Sequence, residues 1–158
     1  MRRTTLGLWQ SFSSKWGGKW AFSRVLCLKA PYFGSIRPRF EDLQPGRCEV
    51  RMRKRRAVLN HIGTVHAVAM CNLAELAGGT MTEVTIPPTH RWIPKEMTVK
   101  YLKLAKTDLV GVATPQAPID WSMPGEFKVQ VVVTDAHAER VFEALITMWV
   151  APRPAPSA

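Results

Sequence analysis

The segment of residues 65–77 constrains the fold more than any other part of the chain, because it is apolar on nearly every side. Apart from His66, Asn72 and Glu75, its positions carry alanine, valine, leucine, methionine or cysteine. A surface helix keeps a polar stripe toward water, whereas a helix that is hydrophobic all round is enclosed by other elements. The sequence therefore predicts a buried helix in the middle of the fold, and the glycine pair at residues 78–79 is predicted to end it.

Strand patterns flank this helix on both sides. Residues 36–44 form a predicted strand, and Pro45-Gly46 is a turn signal. In the next strand, residues 48–53, apolar and charged side chains alternate, which is typical of a half-buried strand with a basic outer face. Four further strands are predicted after the helix, at residues 97–106, 109–114, 127–133 and 142–150. Short connections between consecutive strands indicate an antiparallel sheet, so we expect an α+β domain in which about six strands wrap around one helix.

The length of 158 residues and the 46% content of hydrophobic residues suit one ordinary domain with a sizeable core. Residues 1–34 are predicted as an N-terminal helical extension, residues 35–150 as the main domain, and residues 151–158, with three prolines, as a disordered tail. No apolar run approaches the ~18 residues of a membrane span. The three cysteines form no Cys-x-x-Cys pair, so we expect no disulfide framework, no metal site and a cytoplasmic location.

The net charge of +10 is unevenly distributed along the chain. No acidic residue precedes Glu41, and five of the six residues from Arg51 to Arg56 are basic. Such a balance favours a polyanionic partner, namely nucleic acid, anionic lipid or a phosphate-rich compound such as coenzyme A. A basic face that only meets solvent is the ordinary alternative. Because residues 47–56 contain no aromatic side chain that could stack on bases, we do not expect nucleic-acid binding.

Two polar residues of the predicted helix, His66 and Glu75, lie on opposite sides of it. Nine steps of ~100° and ~1.5 Å separate them by about half a turn and roughly 13 Å along the axis. Within one chain they cannot share a site, so a site that uses both must form across a symmetric dimer. The alternatives are structural: Glu75 as the ion-pair partner of an arginine, and His66 as a residue that bonds the backbone at the helix start.

The residues around the helix start carry a motif. Asn60-x-x-Gly63-Thr64-x-His66 is followed by Glu75 nine positions after the histidine. This pattern resembles the signature of hotdog-fold acyl-CoA thioesterases of the phenylacetyl-CoA thioesterase type. It is also similar to a hotdog branch with the motif Asn-His-x-Gly-Thr-x-His-Ala, whose members often have an N-terminal helical extension. The resemblance covers residues 35–150 and implies the hotdog fold, an antiparallel sheet around one central helix.

The resemblance also implies a role for each motif residue. Glu75 of the partner chain is expected to act as general base or nucleophile, and the backbone N–H of Ala67 to polarise the thioester carbonyl at the helix N-terminus. Asn60 is expected to orient the thioester or the attacking water, and His66 to hold the turn or bond the carbonyl. The residues expected to contact substrate nearby are Gly63, Thr64, Val68 and Asn72.

The implied substrate is an acyl-CoA, whose phosphates are expected to meet Arg53, Arg55 and Arg56. No other cofactor and no metal is implied, and the expected assembly is a homodimer, alone or in a dimer of dimers. One departure concerns turnover. The His-Gly-Gly of the family is replaced by His66-Ala67-Val68, and two added side chains narrow the approach to the backbone.

The sequence is also compatible with two other functions. A non-catalytic hotdog protein that binds or senses acyl-CoA is the main alternative, because the Ala-Val substitution reduces access to the helix start. A hotdog dehydratase or hydratase is a further one, but such enzymes usually place their histidine and acid in different motifs that are absent here. We therefore expect a thioester hydrolase.

Overall fold

The computed structural model describes residues 4–118 and 120–154. Within these ranges the chain forms three α-helices, six β-strands and two short 3₁₀ segments. The helices are α1 (Thr5–Ser13), α2 (Gly18–Lys29) and α3 (Ala67–Thr85), and the 3₁₀ segments span Pro31–Ile36 and Arg56–Val58. The strands are β1 (Arg39–Gln44), β2 (Arg47–Met52), β3 (His90–Tyr101), β4 (Leu109–Pro115), β5 (Gly125–Thr134) and β6 (Arg140–Pro152). This is the order of elements that the sequence predicts.

The six strands form one antiparallel sheet in the order β1-β2-β4-β5-β6-β3. Helix α3 packs against this sheet and contributes the fully buried side chains of Leu73, Leu76 and Met81 to the core. In β2 the apolar residues are buried and the charged ones point outward, as the alternation predicts. The predicted α+β architecture, a hotdog fold with one central helix and a six-stranded sheet, is confirmed.

The glycine pair does not end the central helix, contrary to the prediction. Helix α3 continues beyond it to Thr85. A β-carbon on Gly78 would lie 2.9 Å from Ile146 Cδ1, and one on Gly79 would lie 2.9 Å from the Trp92 ring. Both distances are too short for a packed contact, so the glycines allow the helix to approach the sheet closely. The pair therefore marks close packing rather than a helix end.

Strand β3 differs most from its predicted extent and pairing. It begins at His90 rather than at residue 97 and ends at Tyr101 rather than at residue 106. Pro94, which the sequence places in a loop, lies inside β3 at a register shift between Pro94 and Glu96. An edge strand tolerates proline because one side of its backbone has no partner strand. Although a short segment connects β3 to β4, β3 pairs with β6 and forms an edge of the sheet.

The N-terminal helices share the core of the sheet through a cluster of aromatic rings. The Trp9 and Phe22 rings meet edge to face with centroids 5.1 Å apart, and Phe22 and Phe40 of β1 do the same at 5.1 Å. The strand predicted over residues 36–44 begins at Arg39, because Ile36 belongs to the preceding 3₁₀ segment. Helices α1 and α2 are thereby fixed against β1.

The last strand passes the boundary that the sequence predicts between the domain and its tail. Strand β6 continues to Pro152, so the first two residues of the segment predicted as a disordered tail belong to a strand. Residues 155–158 of that segment, like residues 1–3, lie outside the described residues. Among the helices that the structure describes, none is long and apolar enough to cross a membrane.

Candidate active site

The loop that leads into α3 is a closed turn held by Asn60. The Asn60 Oδ1 atom accepts hydrogen bonds from the N–H groups of Ile62 (3.2 Å) and Thr64 (3.1 Å), and Nδ2 donates to Thr64 Oγ1 (2.8 Å). Gly63 has a φ of 78°, a left-handed conformation that glycine adopts at little cost. The motif asparagine, glycine and threonine thus share one local task, which is to fix the chain that enters the central helix.

His66 is the N-cap residue of α3. Its N–H donates to Val58 O (2.8 Å), and its Nδ1 atom accepts a hydrogen bond from the Val68 N–H (3.1 Å). Because Nδ1 is an acceptor, the neutral ring carries its proton on Nε2. His66 therefore caps the helix, as the structural alternative proposed, and still presents one N–H donor on an exposed side chain.

One backbone N–H at the start of α3 has no acceptor within the described part of the chain. The first N–H groups of a helix have no partner within it and lie at the positive end of the helix dipole. The Val68 N–H is occupied by His66, whereas the Ala67 N–H has no acceptor among the described residues. Of the Ala67 and Val68 N–H groups, that of Ala67 is thus the one available to a negatively charged oxygen.

A cavity of about 170 Å³ opens at this end of the helix. We call it the helix-start cavity; its lining residues are Tyr32, Ser35, Ile36, Ala57, Val58, Leu59, His66, Val68, Ala69 and Asn72. Asn72 is 5% exposed, and its Nδ2 donates to Ser35 Oγ (3.0 Å) while Oδ1 has no partner among the described residues. Tyr32 and Ser35 come from the 3₁₀ segment before β1, and no spacing in the sequence indicated that they would reach this site.

Glu75 lies on a different side of α3 and is exposed. It forms neither an ion pair nor a hydrogen bond with any described residue, so the alternative of an arginine partner has no support. Its neighbours line a mainly apolar cavity of about 270 Å³, the α2–α3 cavity, which includes Leu26, Phe33 and Trp92. His66 and Glu75 thus face two different cavities within one chain, as the helical spacing predicts.

Two of the three predicted phosphate-binding arginines come together. Arg53 and Arg55 line a cleft of about 670 Å³, whereas Arg56 is exposed on the second 3₁₀ segment and does not line it. We call this the cationic cleft; its lining residues are Trp20, Arg24, Arg37, Pro38, Arg39, Arg51, Arg53, Lys54 and Arg55. No local pattern in the sequence groups Arg24 and Arg37 with the basic residues 51–56, because α2 packs against β1 only in the tertiary structure.

The cysteines offer no activated nucleophile among the buried positions. Burial raises the pKa of the Cys48 thiol strongly, and burial also raises that of Cys27, although the Arg24 charge opposes this. Cys71 Sγ lies 3.3 Å from the Tyr101 hydroxyl, and this contact, with burial, raises the pKa of Tyr101 to about 12. The described part of the chain contains no cluster of three or more histidine, cysteine or acidic residues that could hold a metal ion.

Comparison with known proteins places these features in a family. Residues 18–150 match the family described as a domain of unknown function, DUF4442. Among solved structures, a structural-genomics target is 47% identical with a TM-score of 0.83, and the match covers 94% of this chain and 99% of that one.

More distant structures share the fold. A Pseudomonas aeruginosa protein of unknown function, described as a probable thioesterase, is 26% identical with a TM-score of 0.73 over 84% of this chain and 95% of that one. A thioesterase from Haemophilus influenzae is 13% identical with a TM-score of 0.73 over 84% and 90% of the two chains. No protein of curated function matches the chain. The chain belongs to the DUF4442 family and has the hotdog fold.

Proposed function

We propose that this chain hydrolyses acyl-CoA thioesters to a free acid and coenzyme A. The observation that carries the proposal is Glu75, an exposed carboxylate on the central helix that has no partner among the described residues and borders an apolar cavity. None of its contacts with described residues gives this carboxylate a structural role, although most of the helix around it is apolar and buried. The hotdog fold shared with solved thioesterases and the free Ala67 N–H support the same reaction.

The proposed mechanism uses Glu75 as a general base. Its carboxylate takes a proton from water while the water oxygen attacks the thioester carbon. The carbonyl oxygen becomes negative and accepts a hydrogen bond from the Ala67 N–H at the positive end of α3. As the carbon–sulfur bond breaks, the proton held by Glu75 passes to the departing sulfur, which leaves as coenzyme A. Direct attack by the carboxylate, with an anhydride intermediate that water then hydrolyses, gives the same products.

We propose that two chains share each site. Glu75 lines the α2–α3 cavity and lies eight residues, or about 12 Å along the axis of α3, from Ala67, whereas His66 at the helix start lines the helix-start cavity, so one chain cannot apply both Glu75 and the Ala67 N–H to a single thioester. The exposed edge strand β3 is twelve residues long and leaves one side of its backbone without a partner strand among the described residues. Pairing of two such edges in a homodimer would satisfy those backbone groups. Because β3 would be covered in each dimer, a dimer of dimers would form through other surfaces.

We assign the remaining motif residues to positioning and substrate contact. One N–H of Asn60 Nδ2 is used by Thr64, and we propose that the second orients the thioester or the attacking water. His66 Nε2–H is a further donor for the carbonyl oxygen. Gly63 and Thr64 hold the loop, whereas Val68 and Asn72 line the cavity that the substrate would enter.

Val68 favours the second candidate function, a non-catalytic acyl-CoA binder. Its side chain is 55% exposed and borders the helix-start cavity, at the position where the thioesterase signature that the motif resembles has glycine. A branched side chain there restricts how closely a carbonyl group can approach the backbone. In this alternative the chain binds the thioester without bringing it within reach of the Ala67 N–H.

The two functions are distinguished by thiol release from short, aromatic and long acyl-CoAs. We expect release by the wild-type protein and a loss of about 10²–10⁴-fold in the Glu75→Gln variant, the range for removal of a general base. Glu139→Gln, in an exposed ion pair with Lys103, is the matched control and should retain activity. Equal rates for Glu75→Gln and wild type would contradict the mechanism. No release from any substrate, with acyl-CoA still raising the melting temperature, would establish the binder.

A mixing experiment tests the shared site. Glu75→Gln and Asn60→Ala subunits, each inactive alone, should regain activity when mixed, because one of the two sites in a mixed dimer has both residues intact. Random exchange of equal amounts predicts about one quarter of the wild-type rate. Absence of recovery after exchange has been verified by mass spectrometry would exclude a site built from two chains.

A further inference from the structure

The cationic cleft concentrates positive charge to an unusual degree. Seven of its nine lining residues are arginine or lysine, and the other two are Trp20 and Pro38. Its volume of about 670 Å³ lies within the range of ligand-binding pockets, which is roughly 300–1,000 Å³. Like charges gathered in a concave surface raise the local concentration of anions. The cleft thus has both the size and the charge of a site for a small polyanion.

Acidic side chains neutralise only part of this charge. Arg39 Nε lies 3.1 Å from Glu41, and Arg51 Nη2 lies 3.0 Å from Asp108. Partial burial acts to raise the pKa of the Asp108 carboxyl, but the Lys54 N–H (2.9 Å) and Arg51 outweigh it, so that the pKa lies below its ordinary value. These two carboxylates are the acidic partners of the cleft among the described residues, and both are already engaged.

The other arginines of the cleft repel one another. Arg24, Arg37, Arg53 and Arg55 form no ion pair with any described residue. Burial lowers the pKa of Arg55, and the neighbouring charges of Arg37 and Arg24 lower it further. The guanidinium groups are therefore held close together against their mutual repulsion.

In two of these groups the Nε–H also lacks a hydrogen-bond acceptor among the described residues. The Nε atoms of Arg24 and Arg55 are buried and have no partner among the described residues. Buried donors in folded proteins nearly always have a partner, and an unpartnered one calls for a ligand, ion or water. Phosphate oxygens would supply the missing acceptors and the missing negative charge together.

A flat aromatic surface lies beside the cations. Trp20 is 62% exposed and precedes Arg24 by one turn of α2, so both side chains lie on the same helix face. An exposed indole ring is a stacking platform for a nucleobase, and such stacking tolerates any base. Arg37, at the border of the cleft, has a φ of 47° and precedes Pro38, a conformation that is rare for a residue with a side chain.

We infer that the cationic cleft binds the phosphates of a nucleotide that carries at least two phosphate groups, with its base stacked on Trp20. Arg24 and Arg55 would donate their free Nε–H groups to phosphate oxygens, and Arg37 and Arg53 would balance the charge. The single aromatic ring and the limited volume fit one nucleotide rather than a nucleic-acid strand. The site includes a wall from α2, so the N-terminal helices have a part in binding.

The cleft adjoins the helix-start cavity through one residue. Arg55 Nη2 donates to Ser35 O, and Ser35 Oγ accepts from Asn72 Nδ2 (3.0 Å) on the other side. A ligand with a nucleotide in the cleft and a reactive group in the cavity would therefore extend around Ser35. Coenzyme A, with its 3′-phosphate and diphosphate, has this composition; identifying it as the ligand rests on the proposed function, whereas the nucleotide site does not.

Calorimetry with adenosine 3′,5′-bisphosphate and with pyrophosphate tests the site. We expect the wild-type protein to bind both probes, more weakly as salt rises because the contacts are ionic. Arg24→Gln and Arg55→Gln should each lower the affinity for both probes about tenfold or more. Trp20→Ala should lower the affinity for the bisphosphate but not that for pyrophosphate, because pyrophosphate has no base. Arg140→Gln removes an exposed cation paired with Glu143 and should bind like wild type.

Folding is checked by the melting temperature without ligand. Because Arg24 is repelled by its neighbours, Arg24→Gln should melt no lower than wild type. Failure of the wild-type protein to bind either probe would overturn the inference. So would equal losses in Arg140→Gln, or binding of an RNA oligonucleotide or anionic vesicles that the bisphosphate does not displace.

Acyl-N-acetylcysteamine, a thioester without a nucleotide, separates this inference from the proposed function. If it is hydrolysed as efficiently as the matching acyl-CoA and the bisphosphate does not bind, the nucleotide site is wrong and the hydrolase remains. If the bisphosphate binds and no thioester is cleaved, the nucleotide site stands and the hydrolase is wrong. If both hold, acyl-CoA should be preferred, and Arg24→Gln should raise the KM for acyl-CoA while leaving that for the short thioester unchanged.

Discussion

Replacement of Asn60 tests how the loop before α3 is held. Asn60→Ala removes three side-chain hydrogen bonds, two accepted from Ile62 and Thr64 N–H and one donated to Thr64 Oγ1. Each such bond contributes about 0.5–1.5 kcal/mol, and the loop is partly exposed, so we expect a loss of about 2 kcal/mol in the free energy of unfolding. For a chain of this length the melting temperature should fall by roughly 4–8 °C.

Asn60→Asp is the matched variant. Aspartate keeps the oxygen that accepts from Ile62 and Thr64, and the Thr64 hydroxyl can donate to the carboxylate in place of accepting from Nδ2. We therefore expect Asn60→Asp to lose less than about 1 kcal/mol. The second N–H of Nδ2 is lost all the same, so thioester hydrolysis should decrease even though the fold is retained.

Urea unfolding at a fixed protein concentration measures both variants, because the stability of an oligomer depends on concentration. Equal stability of Asn60→Ala and Asn60→Asp would refute the account of the loop, since it would mean that the oxygen contributes nothing. Full activity in a stable Asn60→Asp variant would show that Asn60 acts only through the loop and does not touch the substrate.

Two further variants test the packing and the charges described above. Gly79→Ala should destabilise the protein by about 1–3 kcal/mol despite the better helix propensity of alanine, because the new methyl group meets the Trp92 ring; Gly125→Ala, with no atom within 4 Å, is the control. Equal melting temperatures of the two variants would show that Gly79 does not pack closely against Trp92. Asp108→Asn should lower stability at pH 7, since the lowered pKa of the folded carboxyl stabilises the fold above pH ~4. The difference from wild type should disappear as the pH falls through that lowered pKa, and a constant difference would exclude the pair with Arg51.

The fold follows from patterns that are local in sequence. The alternation of buried and exposed side chains in β2 and β5 and the mostly apolar sequence of α3 are each visible in a few neighbouring positions. The structure confirms both strands and the buried helix. Gly78 and Gly79 misled the prediction, because a glycine pair can end a helix or let it approach another element. Which of the two occurs depends on the residues that face the glycines, here Ile146 and Trp92. These residues cannot be identified from the sequence around the glycine pair.

The candidate site likewise has a part that can be predicted from local sequence and a part that cannot. The motif from Asn60 to His66 is continuous, so its residues could be grouped before the structure was known. The cationic cleft combines α2 with β2 and the residues that follow it, and no periodicity within either segment indicates that Trp20 and Arg24 line the same cleft as Arg53. The predicted phosphate contacts came from the charge run and grouped Arg53 and Arg55, which line the cleft, with Arg56, which lies on a 3₁₀ segment and does not line it.

The position of β3 in the sheet also determines when folding can finish. Its partner β6 lies about 40–60 residues later in the chain, although β4 follows β3 after a short segment. A nascent chain that has released β3, β4 and β5 therefore has no partner for one edge of β5 or for β3 until β6 emerges and pairs with both strands. During that interval the backbone of β3 is open on both sides, and premature pairing with a neighbouring chain would produce a misassembled species.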